Sequence, residues 1–479
     1  MTHWFRRCLS PHLAAFRLAA LLASLLLTQG CKMPVDQTQS PLRMNAVEKQ
    51  ITRGPGGRIL TNTGVWSPDS EWIVSDTRSD AAGDKFDGAT IEMVNVRTGE
   101  VKELFRSQNG AYCGVATFHP RDWKVVFILG PENPTPDWQY CMWHRQGVMV
   151  EVGSPAARNL DARDLTPPFT SGALRGGSHV HVWDAAGEWV SFTYEDHVLA
   201  QFKKATATND INQRNVGVSV PIRGGVRVPG THPRNHSGAF FSVLATRTTA
   251  NPKPGSDEIK RAFEEGWVGT NGYLRADGTR QKHALAFQGQ VVTAQGETIS
   301  EVFIVDLPEA VTVPGDGPLQ GTETRMPLPS KGTVQCRLTF TAERRFPGLQ
   351  GPRHWLRSSP DGARIAFLMK DYAGVVQLWT VSPNSGEPVQ VTRNAHSIAS
   401  AFTWSPDGRF IAHVMDNSVG LTEVATGRTS RLTPRSDDAS APRPEACVFS
   451  PDGRKIAFVR RLVEAGQTSN QICVAFLEH

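Results

Sequence analysis

The sequence predicts an all-β chain, a seven-bladed β-propeller built from four-stranded blades. Three observations carry this reading: a recurring Ser-Pro-Asp-Gly turn, a four-strand rhythm legible throughout one unit, and an N-terminal segment patterned like the outer strand that the last unit lacks. The turn is clean at Ser359-Pro360-Asp361-Gly362, Ser405-Pro406-Asp407-Gly408 and Ser450-Pro451-Asp452-Gly453, each followed by Ile-Ala and an aromatic or imidazole residue. Proline presets φ, aspartate bonds to nearby backbone and glycine accepts the left-handed position, so each copy is a hairpin turn between strands.

The same register exposes degenerate copies at Ser67-Pro68-Asp69-Ser70, His119-Pro120-Arg121-Asp122, Asp184-Ala185-Ala186-Gly187 and Asn235-His236-Ser237-Gly238, which brings the turns and the blades to seven. In the sixth unit the strands fall at 401–404, 410–415, 419–424 and 430–433. A four-stranded blade cannot bury both faces alone, so blades must stack around an axis. The last unit has three strands of its own, while Lys49-Gln50-Ile51-Thr52 matches the outer strand Val389-Gln390-Val391-Thr392. The N-terminal segment is therefore expected to close the ring and remove an open edge. The Trp residues before the turns, Trp66, Trp183 and Trp404, occupy equivalent places and read as core.

Two stretches interrupt the repeat. Between about 250 and 282, Ser256 followed by Asp257, Glu258, Ile259, Ala262, Phe263 and Gly266 has the N-cap, acidic first turn, apolar face and closing glycine of a short helix inserted in blade four. Residues 315–331, polar and proline-rich, predict a long surface loop in the same blade.

Composition agrees with many short strands and tight turns, with 39% hydrophobic residues, 43 Gly and 32 Pro in 479 residues. The formal charge of +5 is small and its Lys and Arg residues are dispersed, which excludes the basic footprint of a nucleic-acid binder. Residues 1–30 read as a signal peptide, with Arg6, Arg7 and Arg17 ahead of or within an apolar run too short for a membrane span. Leu27-Thr28-Gln29-Gly30-Cys31 resembles a bacterial lipobox, which makes Cys31 the lipidation site and 31–46 a tether before a propeller over 47–479. The expected location is the periplasmic side of the envelope, the outer membrane favoured by Lys32, with membrane contact only through the anchor. Beyond Cys8 and Cys31, the cysteines are Cys113, Cys141, Cys336, Cys447 and Cys473, without Cys-x-x-Cys spacing. Cys113 with Cys141 is one disulfide to expect in an exported chain; buried free thiols are the alternative.

The repeats resemble the TolB-like, WD40-like propeller superfamily. More narrowly, residues from about 48 onward resemble the YidR-like family of uncharacterised function, through Leu174-Arg175-Gly176-Gly177-Ser178-His179-Val180-His181-Val182, Pro254-Gly255-Ser256-Asp257-Glu258-Ile259, Glu264-Glu265-Gly266-Trp267-Val268-Gly269 and Pro352-Arg353-His354-Trp355. More distantly the chain is similar to seven-bladed oligogalacturonate lyases, a resemblance that implies a histidine-rich metal site in the propeller.

With the turns as a ruler, His179 and His354 lie five residues before theirs, and His181 and His232 three before theirs. Those positions share one strand face, and at about 3.3 Å per residue the fifth lies roughly 17 Å from the turn, near the opposite rim. Four imidazoles converging there would hold a divalent transition metal, with Arg175 and Arg353 gripping an acidic sugar or another anion. The alternative is that these histidines pack between blades with their nitrogens hydrogen-bonded. No cofactor is required by the sequence. No Gly-x-Ser-x-Gly elbow or phosphate loop is present, and Asp196-His197 reads as a solvated turn, not part of a triad.

Two functions follow. One is a monomeric envelope propeller of TolB-like type that binds a ligand or a protein partner. The other is a metal-dependent lyase or hydrolase acting on acidic oligosaccharide through the histidines.

Overall fold

The computed structural model describes residues 44–478 apart from Pro155 and Ala446, so the leader, Cys31 and nearly all of the tether lie outside the described residues. Seven four-stranded antiparallel sheets follow one another along the chain. Their inner strands are Gly57–Ile59, Cys113–Phe118, Gly176–Trp183, Ile259–Trp267, Arg357–Ser358, Thr403–Trp404 and Val448–Phe449, for blades one to seven. Each inner strand starts at one rim, here called the mouth, and runs toward the turn rim.

Asn45–Gln50 is the outer strand of blade seven, antiparallel to Gln467–Glu478 from Asn45↔Glu478 to Gln50↔Cys473. The clasp therefore starts a few residues earlier than the sequence match at 49–52. Its joint is also held by side chains: Arg460 Nε donates to Glu48 at 2.6 Å, and Thr52 Oγ1 donates to Gln471 Oε1 at 2.7 Å.

The repeated serine turns out to be as important as the proline and glycine. In each clean turn, and at Ser67, the serine Oγ donates to the aspartate Oδ1 at 2.5 Å. The same Oγ accepts the N–H five residues on, from Trp72, Arg364, Phe410 and Lys455, at 2.9–3.1 Å. Blade two substitutes His119, whose Nδ1 accepts the N–H groups of Arg121 and Asp122 and whose Nε2 donates to the Gly187 carbonyl in the next blade's turn. Trp66, Trp183 and Trp404 are buried, as expected of core positions.

Blade four departs from the sequence reading in two ways. Ser256 to Gly266 does not form a helix; Ile259–Trp267 is the blade's inner strand. It carries register shifts between Ile259 and Ala262 and between Phe263 and Gly266. Each bulge adds a residue, so the strand's period of two becomes a spacing that imitates a helical face. The turn at Asn235–Gly238 is also not the blade-four turn. It leads into Gly238–Leu244, the outer strand of blade three, and blade four instead connects its first two strands through residues 268–282, which include the small hairpin Tyr273–Leu274 with Arg280–Gln281. Among the described residues the α-helix is confined to His197–Ala200. Residues 315–331 do form a loop, between Thr298–Leu307 and Val334–Arg337 of blade four. Cys113 and Cys141 are not joined; both thiols are free.

Candidate functional site: a cationic cup at the channel mouth

The inner strands of blades two, three and four share an irregularity. Each has a register shift after its second to fifth residue, and the residue at the shift is in the left-handed region: Val115 at φ 58°, Val180 at φ 57° and Glu264 at φ 57°. A β-branched or bulky residue there costs on the order of 1–2 kcal/mol. The strain recurs in the inner strands of three consecutive blades. Part of the support is visible in blade one, where the buried Asp76 accepts the Val115 N–H at 3.0 Å and is itself paired with Arg78 at 2.7 Å.

Apolar side chains meet across these blades. Val180, Val182 and Trp355 pack together with Val115 and Trp267, so four blades contribute to one apolar cluster. Arg357 of blade five donates to Asn62 of blade one. Blades one and five are not neighbours in the ring, so this bond spans the channel. The mouth side of this cluster is the candidate site, called the cup below, with apolar side chains beneath it.

Its wall is cationic. His179 lies in the field of Arg145, Arg214 and Arg353: burial first and then those guanidiniums hold its imidazole well below the usual range, hence neutral. Arg261 is held low by burial and then by Arg214, which places it in the same group. Two of these guanidiniums have carboxylate partners. Glu195 takes Arg214 at 2.7 Å and Asn212 at 3.1 Å, and Glu264 takes Arg353 at 2.6 Å. Burial raises the Glu264 carboxyl above its ordinary value against the pull of Arg353. Arg353 lies over the Trp355 ring at 4.5 Å with its side chain 57% exposed, so it can be approached from the solvent. Arg145 donates to Tyr140 at 3.0 Å, and Tyr140 stacks on Phe86 at 4.7 Å, which anchors the blade-two side of the rim.

The structure divides the residues chosen from sequence. His179 and Arg353 belong to the cup. Arg175 does not: it is fully buried, ion-paired with Asp196 at 2.6 Å, and donates to the Thr322 and Arg325 carbonyls, where it ties the 315–331 loop to blade three. Asp196 is likewise buried, not solvated, and caps the His197 turn by accepting the Leu199 N–H at 2.9 Å. His354 is committed to backbone on both nitrogens, Nδ1 donating to Pro352 O and Nε2 accepting the Leu368 N–H. Burial depresses it to about 4. His181 is buried between blades two and three with Nε2 on Ser178 Oγ at 3.1 Å. His232 stands in the loop before the outer strand of blade three, its Nδ1 accepting the Arg234 N–H, because the turn used to place it is not a blade-four turn. Among the described residues no three His, Cys, Asp or Glu side chains are grouped so as to hold a metal ion. The donor set therefore does not fit the metal that the distant resemblance implies.

A relative covers nearly the whole molecule: the uncharacterised protein YidR of Escherichia coli K12 is 48% identical over 423 residues, 88% of this chain and 95% of its own length. The chain belongs to the YidR family. Residues 112–236, which run from blade two into blade three, match the family model described as a protein of unknown function, DUF3748. Among solved structures, an oligogalacturonate lyase in complex with manganese covers 92% of the YidR-family chain and 97% of its own at TM-score 0.52 and 10% identity, a likeness of fold. TolB from Acinetobacter baumannii is similar at TM-score 0.34 and 13% identity, covering 88% of this chain and 79% of its own. Sequence reasoning passed over Arg145, Arg214 and Arg261 because none stands at a fixed offset from a turn. Three different blades bring them together.

Proposed function

We propose that this YidR-family propeller is a binding protein whose cup takes an anionic, carboxylate-bearing ligand. The observation that carries this reading is that Arg145, Arg214 and Arg353 act on a neutral His179, with Arg261 beside Arg214, next to an apolar cluster shared by four blades. Guanidinium forks match carboxylates in two-point contacts, and a partly dry site strengthens them. The apolar floor suits a ligand with a hydrocarbon or sugar-ring body. The name of the oligogalacturonate lyase with the same fold puts an acidic saccharide in that class of ligand. Nothing in the arrangement of imidazoles favours the metal-dependent reading over binding.

Calorimetric titration with D-galacturonate, and with D-galactose as the neutral counterpart, tests the proposal. Galacturonate is expected to bind and galactose not, and Arg353→Ala is expected to weaken galacturonate about tenfold or more, the worth of a charge-assisted hydrogen bond. Equal behaviour of the two sugars, or indifference to Arg353→Ala, removes the anion-binding reading. We propose further that the leader exports the chain and that Cys31 anchors it in the envelope. Metabolic palmitate labelling that is lost in Cys31→Ser supports this; labelling that persists refutes it.

A further inference from the structure

We propose that the mouth-side end of blade five is a docking surface for an acidic segment of a partner protein. It is built from two pieces: residues 338–350, in the segment that leads from blade four into blade five, and the hairpin joining Ile365–Lys370 to Val376–Val381. Lys370 and Arg345 both lie over the Phe346 ring at 5.3 Å, and Arg344 lies over Tyr372 at 5.2 Å and Trp379 at 4.7 Å. Backbone contacts hold the pieces together, Arg344 donating to the Lys370 carbonyl at 3.1 Å and Arg345 to the Tyr372 carbonyl at 3.2 Å. Tyr372 is 67% exposed.

Three cations stand beside two carboxylates in these pieces, Glu343 and Asp371. Among the described residues none of Arg344, Arg345 and Lys370 has a carboxylate partner. The adjacent Asp371 is occupied by the N–H groups of Ala373 and Val375 and by Gln377. A cation resting on a ring is held in place without being neutralised, so its remaining donors stay available to an incoming anion.

Two features favour a protein over other polyanions. Cations already cover ring faces of Phe346 and Tyr372, which reduces them as stacking platforms for sugars or bases. An exposed Tyr and a Phe interleaved with Arg also form the composition of interface hot spots. None of Arg344, Arg345 and Lys370 is among the cup's guanidiniums, and the inference does not rest on the cup's ligand.

Fluorescence anisotropy with labelled decaglutamate tests it on the full chain. The double variant Arg345→Glu with Lys370→Glu is expected to weaken binding about tenfold or more, and Arg428→Glu, on the outer strand of blade six, less than about twofold. The same loss is expected in an Arg353→Ala background. No binding by the wild type, or an equal loss in Arg428→Glu, overturns the proposal. So does binding that disappears with Arg353→Ala and survives the charge reversals, which assigns the peptide to the cup. Tighter binding of phosphatidylglycerol vesicles or polygalacturonate, abolished by the double variant, gives the surface to a lipid or a polysaccharide and also overturns it. Should the double variant fail to keep the wild-type unfolding midpoint, Arg345→Gln at an exposed position replaces it, with about a threefold loss expected.

Discussion

Glu265 offers a quantitative test of how blade four is packed against its neighbour. It sits on the inner strand of blade four, 1% exposed. Thr193 Oγ1 of blade three donates to its Oε2 at 3.0 Å, while Oε1 has no hydrogen-bond partner. Burial raises its carboxyl from 4.5 to about 7 against the weaker pull of Thr193 and Arg357. The folded protein therefore binds this proton more tightly than the unfolded chain. Below the unfolded value both states are protonated and the group is neutral in effect; as pH rises from the unfolded value to the folded value a penalty accumulates, and it is complete above about 7. A difference of roughly 2.5 units corresponds to about 3 kcal/mol. Glu265→Gln keeps the shape and removes the charge, so it should be about 3 kcal/mol more stable than the wild type at pH 8 and close to it near pH 4.5. Denaturant titrations of both proteins between those pH values measure the difference directly. A difference curve that is flat with pH would refute the argument, because it would mean that Arg357 holds the carboxylate ionised without cost.

Three further outcomes follow from the packing. Arg175→Met breaks a fully buried ion pair with Asp196 and should cost about 3–5 kcal/mol; limited proteolysis should then cut first within 315–331, while galacturonate binding by the cup is retained. Ser450→Ala removes the Oγ bonds to Asp452 and to the Lys455 backbone in the last turn and should cost about 1–2 kcal/mol, read from the shift of the urea midpoint. His354→Ala should lower stability by leaving the Pro352 carbonyl and the Leu368 N–H unpaired, with metal content measured by mass spectrometry unchanged from the wild type; a stoichiometric metal lost in this variant would contradict the assignment of His354 to packing.

The architecture was legible because its determinants are local. Ser, Pro, Asp and Gly in one turn bond to each other and to backbone within five residues, so the repeat writes itself into the sequence wherever a blade occurs. The clasp was legible for a related reason, since Asn45–Gln50 must alternate like the outer strand it becomes. Blade four was misread at the one place where local rules mislead. Two bulges converted Ile259, Ala262 and Phe263 into a helical spacing, and the 268–282 excursion erased the turn that would have exposed the error.

By itself, then, the sequence determined the all-β propeller and its manner of closure, because hairpin chemistry and strand alternation act over a few residues; the count of seven blades holds although one of the seven turns counted, Asn235–Gly238, belongs to blade three's outer strand. Only the tertiary structure decided the site. His179, Arg145, Arg214, Arg261 and Arg353 come from inner strands and loops of four blades, and their distances in sequence say nothing of their proximity. Arg175 and Arg353, alike as arginines near a histidine, were separated by burial alone. One is sealed against Asp196 and the other stands at the mouth over Trp355, because Coulomb pairing and solvent access are properties of the folded ring.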